Sequence, residues 1–411
     1  MNVRILTLAA LFPMISASMA EENWHQFRGP TGRGHSDATG IPVSWDEPAV
    51  KWKVSLKGSG QSSPVSWGEK LFLTGASAEG GERYVMCLSK DTGEMIWEET
   101  ISCDNPEEYH AMNSQATPSC VTDGTHVVAF FGPGGLHAFT IDGEKSWSLD
   151  LGDFPGSWGV AASPIILDGK VIQNCDAMGE SRLVAVDLAS GKIAWETPRV
   201  EKPRGGWSTP VVIEHEGKEE LILNGEFGVR GYDPKTGQEL WFCEGFNGRG
   251  SPVPEYADGK LYVVNGKPGD TYCVTPGGSG NVTDSHMVWH ASRKGGRDLP
   301  SPIVVDGHLF ISSMSGIATC YEAEAGEPLY VERLGEGIEI AAAPLAANGL
   351  IYLQTVTGGD VIVVRPGKEL DIVAVNTLGD SAKDEIFRAT VVPIGDQLYL
   401  RSGGSLYCVG N

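Results

Sequence analysis

The chain has 411 residues, rich in glycine (54) and proline (24), and its 31 basic against 53 acidic side chains leave a formal charge of −22. A surface so negative repels nucleic acid and anionic lipid, both of which are held by basic patches. No segment approaches the twenty consecutive apolar residues of a membrane-spanning helix.

Residues 1–20 read as a signal peptide. Arg4 gives the positive start, Ile5 to Ile15 the apolar run, and Ser18-Met19-Ala20 the small residues that a signal peptidase needs. The mature chain, residues 21–411, is therefore expected to be exported to a periplasmic or extracellular space, and to be a monomer. No cysteine stands near residue 20 to take a lipid.

From residue 64 onward one short pattern recurs: a Ser/Thr/Ala-Pro step, a strand, an Asp/Asn-Gly turn, then in most copies a glycine and a tryptophan. The prolines are Pro64, Pro118, Pro164, Pro210, Pro252, Pro302 and Pro344, and an eighth copy without proline begins at Ala389-Thr390. Successive spacings are 54, 46, 46, 42, 50, 42 and 46 residues. A period in the forties with strand-like content marks a repeat architecture.

In the best copy, Leu183-Val184-Ala185-Val186 alternates as a strand does, Asp187 caps a turn, Gly191 takes the positive φ that closes it, and Trp195 sits on the returning strand. Cys87–Gly93–Trp97, Ala138–Gly143–Trp147 and Gly231–Gly237–Trp241 repeat this layout. Near Cys273 a glycine-rich insertion stretches the unit before Trp289, Cys320 leads to Tyr330 instead of an indole, and the copy at Val363 has lost its aromatic. The last copy stops at a third strand, Leu406-Tyr407-Cys408-Val409, while Lys51-Trp52-Lys53-Val54 is a lone tryptophan strand at the other end. The N-terminal strand is thus expected to complete the final blade, giving a closed ring without open sheet edges. The fold expected is all-β: an eight-bladed propeller of four-stranded antiparallel blades. Burying an indole with its N–H satisfied suits a blade junction, so these tryptophans read as structural.

The eight cysteines do not suggest a disulfide framework. Cys87, Cys273, Cys320 and Cys408 occupy a column held elsewhere by Ala138, Ala185 and Gly231, which a buried thiol also fits. Cys103, Cys120, Cys175 and Cys243 lie off it, and a Cys103–Cys120 bridge stays open.

The repeat resembles the tryptophan-docking motif, Ala-x-Asp-x-x-Thr-Gly-x-x-x-Trp, of eight-bladed quinoprotein propellers. The opening Trp24-His25-Gln26-Phe27-Arg28-Gly29-Pro30, with Gly32-Arg33-Gly34-His35-Ser36, is similar to the start of pyrroloquinoline quinone (PQQ) alcohol dehydrogenases and of PQQ-like propeller proteins. The blade count and repeat also resemble BamB-like assembly scaffolds, although those carry a lipidated cysteine. Against the dehydrogenases, no Cys-Cys pair occurs here. The resemblance implies an exported, non-catalytic binding or scaffold module, or alternatively a PQQ-dependent oxidoreductase acting on an alcohol, sugar or polymer hydroxyl. PQQ with calcium is implied only by the second, for which Asn113, Asp298, Glu339 and Glu385 are candidate ligands; under the first the cofactor is unknown.

In a propeller the loops that lead into the inner strands line the funnel mouth. Three residues before the proline positions stand Gln61, Gln115, Ala161, Trp207, Arg249, Leu299, Ala341 and Phe387. Asn113 and Arg297 stand five before, with His110, Trp158, Arg204 and Arg388 nearby. The candidate binding residues are Asn113, Gln115, Trp158, Arg204, Trp207, Arg249, Arg297 and Arg388. Arginine grips carboxylates and stacks on planar rings, so this set suits a protein partner or an anionic or sugar-like ligand. The competing expectation is that the arginines pair with acids such as Asp298, Glu339 and Glu385 and only tie loops together. His286-x-x-x-His290 has ligand-like spacing but lies outside a helix, without an accompanying Cys or acidic cluster, so no metal site is expected.

Overall fold

The computed structural model describes residues 23–45, 49–199, 203–245, 249–265, 269–292 and 299–410. The signal peptide, Asn247, Arg297 and Asp298 lie outside the described residues. Eight antiparallel sheets surround a central channel. Seven blades follow in chain order, at 65–102, 121–149, 165–199, 211–244, 255–291, 303–333 and 345–376. The eighth is built from Val392–Ile394, Gln397–Arg401 and Ser405–Gly410, completed by Val50–Ser55 from the N-terminal side. Trp52 pairs there with Cys408.

The Asp-Gly dipeptides do what their chemistry favours. Asp168-Gly169, Asp258-Gly259, Asp306-Gly307 and Asn348-Gly349 have positive φ at both positions, the requirement of a type I′ hairpin whose twist matches its strands. Asp123 behaves differently: its Oδ1 accepts from the backbone N–H of Thr125 and His126 at 2.8 and 2.7 Å, and only Gly124 is left-handed.

The small-residue column has a structural cause. Cys87 pairs with Trp97, Ala138 with Trp147, Ala185 with Trp195, Gly231 with Trp241, Cys273 with Trp289 and Cys320 with Tyr330, each followed by a bulge. A small residue opposite the aromatic lets the ring lean out towards the next blade. There it lies on the turn glycine: a Cβ on Gly93, Gly143, Gly191, Gly237 or Gly326 would fall within 3 Å of Trp52, Trp97, Trp147, Trp195 or Trp289 respectively. Four of these indoles also donate to a carbonyl of that turn, Trp97 to Ile141 (3.1 Å), Trp147 to Leu188 (2.7 Å), Trp195 to Pro234 (3.2 Å) and Trp289 to Ala323 (3.1 Å). The rings of Trp97, Trp147 and Trp195 are half-buried.

Trp241 departs from the pattern. It is fully buried, but its Nε1 donates to Glu220 of its own blade at 2.7 Å, and it packs over Gly231, where even a Cβ would come within 2.2 Å. The cause lies in the following blade, where the stretched glycine-rich segment carries Gly280–Asn281 onto the outer edge of Trp241 and Phe242 as a parallel strand. His286 closes a single helical turn, Thr283–His286, where the sequence suggested only strand and loop. It bonds Ser285, while His290 bonds Asp270 at 2.9 Å, so the two histidines serve separate partners.

All eight cysteines are buried and free, Cys103 and Cys120 included. Burial pushes the thiols of Cys87, Cys120 and Cys273 up to about 12 and those of Cys243, Cys320 and Cys408 up to about 11.

Two outcomes follow. Trp195→Ala should cost about 3 kcal/mol, the lower end for a truncated large aromatic because the ring is only half-buried; thermal melting would show it, and an unchanged midpoint would refute the docking role. Secondly, thiols raised by folding contribute stability that is complete below their unfolded value and lost as pH rises towards the folded one. Denaturant midpoints should therefore fall between about pH 9 and 11, and Cys87→Ala with Cys273→Ala should flatten that fall.

Candidate ligand funnel

Hydrogen bonds between blades give the register of the channel wall. The backbone N–H of Thr390 donates to Ser63 Oγ (2.9 Å), that of Ser63 to Ser119 Oγ (2.8 Å), that of Ser119 to Ser163 Oγ (2.9 Å) and that of Ser163 to Thr209 Oγ1 (3.0 Å). The chain of donors breaks at Val253, whose own N–H donates to Ser301 Oγ at 3.0 Å, and Ala343 again lacks a hydroxyl. Each of these residues stands two before the first strand of its blade.

This register corrects the alignment on prolines. The residue equivalent to Pro64 is Cys120 in the second blade and Pro254 in the fifth, so Pro118 and Pro252 stand two positions early. The tier towards the mouth is Gln61, Thr117, Ala161, Trp207, Ser251, Leu299, Ala341 and Arg388, and all eight line one cavity of about 170 Å³. Counting back from the hairpin turn, where Pro254 precedes Asp258-Gly259 by the same interval as Pro164 precedes Asp168-Gly169, would have shown the slip in the fifth blade.

Asn113, Trp158, Trp207, Arg249 and Arg388 come together on this wall. The Trp158 ring stacks on His110 (centroids 4.5 Å apart, 26° between planes), and the Arg249 guanidinium lies 3.9 Å from the Trp158 ring centroid and 6.0 Å from that of Trp207. Trp207 Nε1 donates to Gly159 O at 2.9 Å, which fixes its ring against the mouth. Asn113 spends its amide on the wall, donating to the carbonyls of Trp158 (2.8 Å) and Val160 (3.2 Å). Arg388 donates to Ala111 O at 3.2 Å. Burial lowers its guanidinium below the ordinary value, offset in part by the Glu339 carboxylate.

Gln115 and Arg204 stand outside the cavity wall. Gln115 is buried beneath Gly80, donates to Glu107 O (2.9 Å) and accepts from Arg83 (3.4 Å), itself paired with Glu107 at 2.8 Å. Arg204 is half-exposed and bonds the Glu226 carboxylate at 2.6 Å, so this arginine does tie loops together. Phe387 is buried against Gly359 and Tyr407.

The channel floor, unsignalled by local sequence pattern, comes from the opening segment. Trp24 exchanges backbone and side-chain hydrogen bonds with Ser66, His25 O accepts from Thr122, and Arg33 donates to Tyr256 O at 2.6 Å. Arg28, fully buried, reaches Glu255 at 3.4 Å, and His35 meets the same carboxylate at 2.9 Å. His35–Ser36 then pairs in parallel with Ala346–Ala347 of the seventh blade. These partners lie within the first strands, one or more residues beyond the hydroxyl tier, so the segment crosses the end opposite the mouth. Phe27 projects from it into the cavity lining.

A calcium-held quinone needs several convergent oxygens with a carboxylate among them. Among the described residues no carboxylate lines the cavity, and no three His, Cys, Asp or Glu side chains are grouped to hold a metal. Glu385 is committed elsewhere: burial would raise its carboxyl, but Lys53, Ser402 and Tyr407 hydrogen bonds hold it below the ordinary value. The described donor set does not fit that group.

A family model described as "Outer membrane protein assembly factor BamB" matches residues 43–216, 85–267 and 225–370. The chain is 22% identical to a polyvinylalcohol dehydrogenase from Pseudomonas sp, over 72% of this chain and only 55% of that protein's length. It is 21% identical to the outer membrane protein assembly factor BamB of Burkholderia pseudomallei, over 75% of this chain and 86% of that one. Among solved structures, BamB from Moraxella catarrhalis superposes with a TM-score of 0.64 at 16% identity (88% and 97% covered) and a europium-containing methanol dehydrogenase with 0.69 at 10% identity (95% and 98% covered). At those identities the likeness is one of fold.

Ser119→Ala would strip the Ser63 N–H of its acceptor in a buried wall. A loss of about 1–3 kcal/mol is expected, read from chemical denaturation; a variant as stable as the parent would show that the tier does not bind blades together.

Proposed function

This chain belongs to the PQQ-like propeller family described as outer membrane protein assembly factor BamB, and we propose that it is an exported, non-catalytic binding module whose funnel takes an anionic, sugar-like ligand. One observation carries the reading. In a chain of charge −22, the described cavity wall holds Arg249 and Arg388 beside two indoles and no carboxylate. Charge-assisted hydrogen bonds then hold the anion while an indole offers a stacking plane, and the positive wall draws it in from an otherwise repelling surface. A protein partner presenting such a group would use the same face.

The match to a polyvinylalcohol dehydrogenase favours a second reading, PQQ-dependent oxidation of an alcohol, sugar or polymer hydroxyl. Purified protein supplied with PQQ and calcium and assayed by dye-linked oxidation of alcohols separates the two: no turnover is expected, and stoichiometric quinone binding with turnover would replace the first reading by the second.

For the binding reading, Arg249→Ala and Trp207→Ala should each weaken glucuronate at least about tenfold, the worth of one charge-assisted hydrogen bond or a stacking plane. Their melting temperatures should stay near that of the parent, unlike that of Trp195→Ala. Calorimetric titration would show it; unchanged affinity in both variants would remove the funnel from the reading.

A further inference from the structure

The channel changes character with depth. Its upper tier is half-buried, whereas Ser63, Ser119, Ser163, Ser301 and Thr390 below are each 3% exposed or less. Beneath them the opening segment, with Phe27 uppermost, closes the far end. The cavity is therefore a blind well, and a strand cannot thread it.

The lower tier keeps hydrogen-bonding capacity that the wall does not use. A hydroxyl offers one donor and two lone pairs. Ser63, Ser119, Ser163 and Ser301 each spend a lone pair on the backbone N–H of a neighbouring blade. Their hydroxyl hydrogens meet no acceptor among the described residues, and all four side chains line the cavity. The amide acceptors nearer the mouth are consumed: Asn113 Oδ1 accepts from Ser114 N–H at 2.9 Å, and Gln61, oriented to donate to Met112 O, accepts from Arg388. Each of these hydroxyls keeps one donor and one lone pair for a ligand, and the guanidiniums of Arg249 and Arg388 on the same wall add donors only. Donors then outnumber acceptors, and a group rich in acceptors complements such a set best.

We infer that the lower tier is a blind socket for the terminal oxyanion of a ligand that enters end-on from the mouth, the carboxylate of an acidic sugar being the group that fits. This rests on the funnel-binding reading and deepens it, because that reading would hold equally for a ligand lying flat across Trp158 and Trp207. Ala343 marks the place to separate them. It sits in the lower tier without a hydroxyl, so enlarging it fills the socket and breaks no hydrogen bond of the wall.

The test titrates parent protein, Ala343→Phe and the milder Ala343→Val with glucuronate, its methyl ester and glucose 6-phosphate, alongside melting curves. The socket predicts that esterification weakens binding at least about tenfold, that Ala343→Phe abolishes glucuronate binding in a folded protein, and that Ala343→Val weakens it. The phosphate ester binding more tightly than glucuronate would assign the same socket to phosphate. Glucuronate bound equally by the parent and by whichever enlarged variant folds would overturn the socket and leave the funnel reading standing. No binding of either oxyanion to the parent at about 10 mM would overturn both.

Discussion

Closure of the ring is the constraint on which the rest depends. A propeller of eight sheets has two open edges until its ends meet, and here six residues, Val50–Ser55, join them by pairing with Ser405–Gly410. The same strand brings Trp52, whose ring lies on Gly93 of the first blade, so closure and docking are made by one element. Without that contact the inter-blade hydrogen bonds from Thr390 to Ser63 would have no fixed partner, and no funnel would exist. Ligand chemistry is in this sense a consequence of ring geometry: every residue on the wall is placed by the blade to which it leads.

The exceptions to the repeat are compensated where they occur. The seventh blade has Ala374 opposite Val363 and no docking indole. It is strapped instead by the opening segment, with His35–Ser36 on its inner edge and Trp45 N–H donating to Asn376 Oδ1 at 2.7 Å beyond its outer strand. Asn376 in return donates to Val43 O at 3.0 Å, so one side chain fastens both directions of the strap. The fourth blade loses its docking turn to the stretched segment after Cys273, and recovers an edge from Gly280–Asn281 and an internal partner for Trp241 in Glu220. A buried indole nitrogen needs an acceptor, and whichever blade supplies it decides where the ring points.

The fold was legible because its signals are local and repeated. Asp-Gly at a hairpin and a small residue opposite an indole are written in adjacent residues, so eight imperfect copies reinforce one another. The wall was legible only in part. Trp158, Trp207, Arg249 and Arg388 were found because any residue near a mouth loop is a fair candidate, but proline proved a poor ruler: it tolerates more than one position before a strand, and Pro118 and Pro252 moved the count by two. Gln115 was displaced for that reason and because Glu107 claims it, whereas Arg204, near the in-register Pro210, is drawn off only by Glu226. The floor was illegible altogether. Nothing in Trp24–Ser36 alone says that it crosses beneath five blades, since its partners Ser66, Thr122, Tyr256, Pro302 and Ala346 are defined only once the ring has closed.

The electrostatic design follows from the same geometry. A net charge of −22 spread over the surface repels anions at long range, but the repulsion is screened within about 8 Å at physiological ionic strength. Inside the funnel the walls are protein and the screening is weaker, and it is there that the binding proposal places the action of Arg249 and Arg388. Arg401 adds to it from behind. Fully buried, it donates to the carbonyls of Ser62 (2.9 Å) and Thr74 (2.6 Å), and burial pulls its guanidinium down to about 9, still charged at neutral pH. Ser62 precedes Ser63 of the lower tier, which places this charge one residue behind the wall. Under the binding proposal, an acidic exterior with a cationic well favours anions that are captured by contact over those gathered from a distance, and so a ligand whose shape matches the well.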